Sequence, residues 1–377
     1  MNYRKFGNTG VEVSALGFGC MRLPTNTDGT IDRARTTAML RSAIDRGMNY
    51  VDTAYGYHNG ESESAVGDAL RDGYREKVNL ATKMPVWKVE KAEDFDTIFA
   101  EQLARLQTDH VDFYLLHALD RDSWENKVLK FGLIEKMQQA KADGRAKHIG
   151  FSFHDDYDTF QEIIDTYTGC EFCQIQYNYI NTDYQATQRG LDYAAAKGLG
   201  VIVMEPLLGG KLANPPKMVA AALSTEKTPV EWALDFVWNQ PGVSLLLSGM
   251  SNEQQTEDNL VYASRSSVGM LGEKELAMFA GAKRVYDSMA LVPCTHCEYC
   301  MPCPFGVNIP DTFACYNKTV SQGIELAAAE YADLQGKADL CRACHHCESL
   351  CPQHIKISEE MPSISKLFDE YKQKSSK

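Results

Sequence analysis

From Val11 to about Ser248, short apolar runs alternate with amphipathic helical stretches, and this alternation constrains the fold more than any other feature of the chain. The strand candidates are Ala15–Phe18, Asn49–Asp52, Val78–Thr82, Val111–Leu116, His148–Ser152, Phe172–Gln176, Gly200–Met204 and Val243–Leu247. Between them lie helix-like stretches such as Asp32–Arg46, Ser62–Arg71, Asp94–Leu106, Glu125–Lys141, Asp155–Thr166, Tyr184–Lys197 and Val230–Asn239. Eight strands alternating with helices predict an α/β fold, a parallel (β/α)8 or TIM barrel. The first twelve residues, with the Asn8-Thr9-Gly10 turn, read as a β-hairpin placed before the first barrel strand.

At 377 residues and 42.1 kDa the chain divides naturally into one large domain and one small one. We expect the barrel over 1–272 and a linking helix with a small C-terminal domain over 273–377. A net charge of −13 argues against partners that want a basic face, nucleic acid and anionic membrane alike. The N-terminus, Met1-Asn-Tyr-Arg-Lys-Phe-Gly, carries no apolar segment of signal-peptide type. No apolar run approaches the length that spans a bilayer. Twelve cysteines in a chain read this way predict a reducing, cytoplasmic location.

The strand ends are polar: Asp52, Lys83, His117, Ser152, Gln174 with Gln176, Glu205 and Ser248. In a barrel of this kind these ends converge on the mouth where chemistry is done. Helix capping accounts for Asp52 and Ser152, but not for Lys83 or His117.

Asp52-Thr53-Ala54-Tyr55-Gly56-Tyr57, then Thr82-Lys83 and Leu115-Leu116-His117, resembles the Asp/Tyr/Lys/His tetrad of the aldo-keto reductases. The resemblance continues through Gly150-Phe151-Ser152, Gln174-Ile-Gln176-Tyr-Asn178 and Met204-Glu-Pro206-Leu-Leu-Gly-Gly210-Lys-Leu212, and ends near Asp258-Asn259. It implies that Asp52, Tyr57, Lys83 and His117 are catalytic and that a small carbonyl compound is reduced by hydride from NADP(H) or NAD(H). Such a reduction needs a proton donor at the developing alkoxide, and a neutral tyrosine hydroxyl serves. Its ordinary pKa of about 10 is too high for easy donation unless a nearby ammonium stabilises the phenolate. Lys83 would be that ammonium, Asp52 its counter-charge, and His117 would orient the substrate oxygen or share the proton. Tyr55 is the rival to Tyr57; the family's spacing favours Tyr57.

The resemblance also implies cofactor contacts. Ser152 and Gln174 would hold the nicotinamide carboxamide. Cys20 and Met21, after Gly17-Phe-Gly19, would sit near the mouth with Arg22. Met204 stands where relatives carry a stacking tyrosine, and Phe153 where they carry asparagine. Pro206, Leu207 and Gly210 open a long segment, Pro206–Pro229, that resembles the loop folding over the cofactor in relatives. Ser248, Gly249, Asn252, Asp258 and Asn259 would face the adenosine half. The stretch Ser248–Gln255 holds no lysine or arginine to grip a 2′-phosphate, which weakens the case for NADPH. Trp87 and Tyr179 are candidates for pocket walls.

Near the C-terminus stand two cysteine runs. The first is Cys294-Thr-His-Cys297-Glu-Tyr-Cys300-Met-Pro-Cys303-Pro304; the second is Cys341-Arg-Ala-Cys344-His-His-Cys347-Glu-Ser-Leu-Cys351-Pro352. The second matches the C-x2-C-x2-C-x3-C-P form of two-cluster bacterial ferredoxins in full, and the first is one residue shorter before its fourth cysteine. Three closely spaced thiolates reach three irons of one cubane, and the fourth, turned away by proline, reaches the other cluster. We therefore expect one [4Fe-4S] cluster on Cys294, Cys297, Cys300 and Cys351, and a second on Cys341, Cys344, Cys347 and Cys303. Zinc sites pair cysteines around one ion and would leave a third idle, and disulfides suit small secreted chains. The aldo-keto reductase branch with a C-terminal ferredoxin-like iron–sulfur domain matches best. Cys315 reads as core, and Cys170 with Cys173 as a reduced core pair. A single helix is expected over Asp311–Glu330, a turn at Gly336, and a tail helix from Glu359 to Lys377.

Three functions compete. The first is a carbonyl reductase with Tyr57 as acid. The second exchanges electrons with ferredoxin or another one-electron carrier through the clusters. A non-catalytic scaffold is the third, and the intact tetrad argues against it.

Overall fold

The computed structural model describes residues 1–289 and 291–375. The hairpin is present: β1 (Tyr3–Lys5) pairs antiparallel with β2 (Glu12–Ser14), Arg4 opposite Val13. Eight parallel strands then close a barrel: β3 (Leu16–Gly19), β4 (Tyr50–Asp52), β5 (Asn79–Met84), β6 (Val111–Leu119), β7 (Ala146–Phe153), β8 (Phe172–Gln176), β9 (Gly200–Met204) and β10 (Leu245–Ser248). Their order follows the sequence, with β10 closing on β3 through Leu246 opposite Leu16. The expected (β/α)8 architecture is thus observed.

The hairpin fills the end of the barrel away from the mouth. Phe6 follows β1, is fully buried, and meets Phe113 at 4.7 Å and Phe172 at 5.5 Å between ring centroids. Burying an aromatic ring of this size removes well over 100 Å² from water, roughly 3 kcal/mol, so the plug is a stabilising element. On β7 the side chains alternate as a strand requires. Phe151 and Phe153 pack against Phe160 of helix Tyr157–Thr166, at 5.8 and 5.0 Å, so Ser152 takes the opposite face. The stretch expected as one helix over Glu125–Lys141 is interrupted: a π-helical turn at Trp124–Leu129 is followed by helix Leu133–Ala142, and the break falls at Gly132 with φ of 64°.

The chain divides into two compact units. One comprises Met1–Pro206 with Glu231–Gly272; the other comprises Leu207–Val230 with Glu273–Lys377. In the second unit the helix expected over Asp311–Glu330 is two, Ile309–Ser321 and Ile324–Asp333. Gly323, at φ of 95°, breaks it, because only glycine adopts that backbone without strain. The turn at Gly336 is present: its carbonyl accepts a hydrogen bond from the Asn308 amide at 2.7 Å, and any side chain there would strike the 306 backbone. The tail helix runs Ile357–Ser375, and the last two residues of the expected helix lie outside the described residues. Phe313, Cys315, Met361, Ile364 and Phe368 form the core of this unit, and the flanking cysteines Cys294, Cys300, Cys303, Cys341 and Cys351 pack against it. Cys315 is therefore core, and Cys170 and Cys173 are free thiols in the barrel. No described helix is long and apolar enough to cross a membrane.

Candidate functional site

The ends of β4, β5 and β6 place three charged or polar groups side by side because the strands are neighbours in register, Asp52 opposite Ala81 and Lys83 opposite Leu115. The Lys83 ammonium donates to Asp52 Oδ1 at 2.6 Å and to the Thr53 carbonyl at 2.8 Å, with both side chains essentially inaccessible to water. Such a pair survives only when it is well hydrogen-bonded, since each ion costs several kcal/mol to desolvate. Burial pushes the Asp52 carboxyl up, and the Lys83 ammonium pulls it back part of the way.

Tyr57 stands in a 3-10 turn just beyond β4, with Lys83 Nζ 5.0 Å from its ring centroid and the His117 ring at 6.0 Å. Tyr55 is turned elsewhere. Its hydroxyl donates to Glu101 at 3.1 Å, and Arg105 covers its ring at 4.4 Å. His117 sits where the β6–β7 register shifts, between Leu116 and Leu119, and Ala118 has a φ of 56°. A bulge of this kind re-aims a side chain at the cost of local strain. The freed Ala118 amide is satisfied by Ser152 Oγ at 2.7 Å. His117 is buried and held well below the ordinary histidine range, first by desolvation, then by the Lys83 charge and by His154. Trp87 lies 5.1 Å from the His117 ring and is half exposed.

Buried polar atoms at this end of the barrel without a hydrogen-bond partner among the described residues include Asp52 Oδ2, His117 Nδ1 and Gln174 Oε1. Buried polar groups are rarely left so, which fits a ligand bearing hydroxyl, carbonyl or amide groups. Ser152 and Gln174 are paired across β7 and β8, and Gln174 Nε2 reaches Met204 Sδ at 3.5 Å. Cys20 is fully buried in the turn after β3; desolvation above all raises its thiol, Asp52 adds to the rise and Lys83 opposes it. At the end of β10, Asn252 caps helix Glu253–Ser264 by accepting from the Gln255 amide, and Asn259 donates to Ser248 Oγ at 3.0 Å. Asp258 accepts from Gln254. Met21 shares the turn after β3, whereas Pro206, Leu207 and Gly210 belong to the segment that follows β9. A side chain on Gly249 would meet Arg22, whose carbonyl accepts from Ser251 Oγ at 2.8 Å.

Sequence reasoning missed two further features. A buried network lies behind Lys83: Gln102 Nε2 donates to the Lys83 carbonyl at 2.9 Å and to Glu63 Oε1 at 2.7 Å, and Thr82 Oγ1 donates to the same carboxylate at 2.6 Å. Burial raises the Glu63 carboxyl. The second is His154, buried and 3.3 Å from Gln185 Oε1 through Nδ1. Strand alternation could have found it, since Phe153 faces outward and the next position on the Ser152 side is 154.

In the second unit, Cys294, Cys297, Cys300 and Cys351 line one cavity together with Thr295 and Ile309. Burial raises the Cys300 thiol, and its neighbours Cys297, Cys294 and Cys351 add to the rise. Cys347 is pushed up to about 11, by burial first and then by Glu348, Cys303 and Cys341. Cys347 acts on Cys300 as well, and Cys344 is on the surface. Thr295 is 2 % exposed and its Oγ1 has no partner among the described residues, so a donor waits beside the cavity for an acceptor such as a cluster sulfide. The paired histidines divide: His345 bonds Glu348 at 3.0 Å, and His346 opens the short helix carrying Cys347.

Comparison with known proteins agrees with both halves. The model of the aldo/keto reductase family matches residues 15–271, and that of a 4Fe-4S dicluster domain matches residues 293–356. The chain belongs to the aldo/keto reductase family and carries a C-terminal iron–sulfur domain. It is 29% identical over 290 residues to L-galactose dehydrogenase of Arabidopsis thaliana, covering 71% of this chain and 90% of that protein. Among solved structures, an aldo-keto reductase from Klebsiella pneumoniae in complex with NADPH superposes with a TM-score of 0.61 at 26% identity, over 76% of this chain and 96% of its own. The Bacillus halodurans aldo-keto reductase AKR11C1, at 24% identity and a TM-score of 0.64 over 75% of this chain and 96% of its own, shares the fold.

Proposed function

We propose that the barrel reduces an aldehyde or ketone to an alcohol, with Tyr57 as the proton donor. The observation that carries this reading is the buried Lys83–Asp52 pair set beneath the Tyr57 ring and beside His117. When bound, a nicotinamide, NADP(H) or NAD(H), would supply the hydride. The Tyr57 hydroxyl gives its proton to the carbonyl oxygen, and the Lys83 ammonium stabilises the phenolate left behind. Asp52 holds Lys83 charged and in place. Neutral His117 aligns the carbonyl oxygen by hydrogen bonding. Ser152 and Gln174 face the carboxamide, Cys20, Met21 and Met204 flank the ring, and Pro206, Leu207 and Gly210 belong to the covering loop. Ser248, Gly249 and Asn252, with Asp258 and Asn259, border the adenosine half, where Arg22 supplies positive charge.

In the second unit one [4Fe-4S] cluster is held by Cys294, Cys297, Cys300 and Cys351, and the other by Cys303, Cys341, Cys344 and Cys347. Clusters of this kind transfer one electron at a time. The exposed Cys344 favours a second reading, in which ferredoxin or a similar one-electron carrier exchanges electrons at that end. Replacing Tyr57 with Phe tests the first reading. Carbonyl-dependent nicotinamide oxidation should fall by roughly two to four orders of magnitude while nicotinamide binding stays within about twofold. Undiminished turnover in that variant would remove Tyr57 from the chemistry.

A further inference from the structure

We infer that Lys211 and Thr295 set the reduction potential of the first cluster, Lys211 through its positive charge and Thr295 by hydrogen bonding to a cluster sulfur. The inference rests on the cluster assignment given above and is independent of the chemistry in the barrel. Reduction places one electron, taken from a one-electron carrier, on a cluster that four thiolates already make anionic. An apolar setting disfavours that added charge, whereas hydrogen bonds to the sulfurs and nearby cations favour it. The cavity lined by Cys294, Cys297, Cys300 and Cys351 is such a setting, because Ile309, Phe313 and Ile355 also line it and all three are buried. The second cysteine run differs, with Arg342, Cys344 and His345 exposed. Solvent supports the reduced form there, and the second cluster serves as an internal reference.

Two groups at this cavity act against the apolar walls. Thr295 lines it and is 2 % exposed, and its Oγ1 has no partner among the described residues. A hydroxyl buried to that degree calls for an acceptor, and a sulfur of the first cluster is one. The second group comes from a segment distant in sequence but in the same compact unit, Leu207–Val230. Its Lys211 ammonium donates to the carbonyl of Cys294, which places a positive charge against the backbone of the first proposed ligand. The segment meets the cysteine run at a further point. Gly209, at φ of 64°, lies so close to Thr295 that a single added methyl group would overlap the Thr295 carbonyl oxygen. The Gly210 and Leu212 amides both donate to the Leu207 carbonyl at 3.0 Å, closing the turn that carries Lys211. One lining residue has the opposing charge. The Glu298 carboxylate is exposed and faces His296 Nε2 at 3.6 Å, so solvent screens it, whereas the half-buried Lys211 is screened less.

The test uses the full chain with its clusters loaded, as wild type, Thr295→Val, Thr295→Ser, Lys211→Met and Lys211→Arg. Iron content establishes loading. An anaerobic dithionite titration with redox mediators, followed by electron paramagnetic resonance, reads the one-electron step of each cluster. Thr295→Val keeps the shape and removes the donor. It should make one step about tenfold less favourable, which is about 59 mV for one electron, and leave the other step in place. Lys211→Met should move the same step in the same direction by about threefold. Thr295→Ser keeps a hydroxyl and Lys211→Arg keeps the charge, so both should return the wild-type step. Steps within about 1.5-fold of wild type in both loaded Thr295→Val and loaded Lys211→Met overturn the inference, as does an equal shift of the two steps. Should Thr295→Val fail to load, the Lys211 pair decides alone by the same criteria. A wild type that takes up no clusters overturns the cluster assignment and this inference with it, whereas a loaded wild type with unaltered variants overturns the inference only.

Discussion

The two halves of this molecule hold reactive groups in opposite ways. At the barrel mouth the groups are positioned by protein alone: Lys83 is fixed by Asp52, by the Thr53 carbonyl and, through its own carbonyl, by Gln102. In the iron–sulfur unit the thiols face a cavity and one another, and the backbone of the cysteine runs is bent through left-handed residues, His296 at 60°, Glu298 at 67°, Ala343 at 49° and His345 at 61°. Non-glycine residues in that region cost on the order of 1 kcal/mol each, and a cluster bound to the same loops is the natural compensation. The barrel site is thus preformed, and the cysteine-run site is completed by what it binds.

The largest effect should come from that difference. Replacing Cys300 and Cys347 with Ser, or removing iron from the wild type, should abolish amide-exchange protection across 294–351 while protection in β3 to β10 survives. Equal loss in both units would show that the barrel is not preformed. Next in size is Lys83→Met, which leaves the Asp52 carboxylate buried without its partner. We expect about 3–5 kcal/mol of destabilisation by denaturant unfolding, together with loss of turnover. A cost under about 1 kcal/mol would mean that the pair is solvated in solution.

His117 gives a smaller, pH-dependent effect. Its pKa in the folded state lies well below the 6.5 of the unfolded chain. The unfolded state therefore binds more protons below pH 6.5, and stability drains as pH falls from 6.5 toward the folded value, by up to about 1.4 kcal/mol per pH unit. Above pH 6.5 this contribution is fully present. Asp52, raised by burial, works in the other direction at lower pH, so the comparison should be wild type against His117→Asn. The variant should lose less stability between pH 7 and pH 5; parallel losses would contradict a buried neutral imidazole. Smallest is Asn252→Ala, which removes a helix cap and should cost about 1 kcal/mol in the barrel's unfolding transition.

The same contrast governs what the sequence made legible. Phe172–Gln176 and Gly200–Met204 were read to the residue because continuous apolar runs bounded by turns have few alternatives. The tetrad positions followed from strand ends and from the family resemblance, whose spacing favours Tyr57 over Tyr55, while the bond from Tyr55 to Glu101 has no trace in the sequence. The break at Gly323 was missed because one glycine in an apolar helical stretch is compatible with continuity. The Glu63–Gln102 network and the attachment of Leu207–Val230 to the cysteine loop were invisible for a common reason. Both rest on contacts between segments far apart in sequence, several of them to backbone atoms, which leave no periodic trace.

The most direct test of the account is an anaerobic absorbance titration of cluster-loaded protein with NADPH and then NADH, following nicotinamide and the cluster band together before and after a carbonyl compound is added. If the barrel performs the hydride chemistry and the clusters hold structure, nothing changes until the carbonyl arrives, and then nicotinamide alone is consumed. Bleaching of the cluster band as nicotinamide is oxidised, with no carbonyl present, would contradict this and make the molecule an electron-exchange enzyme.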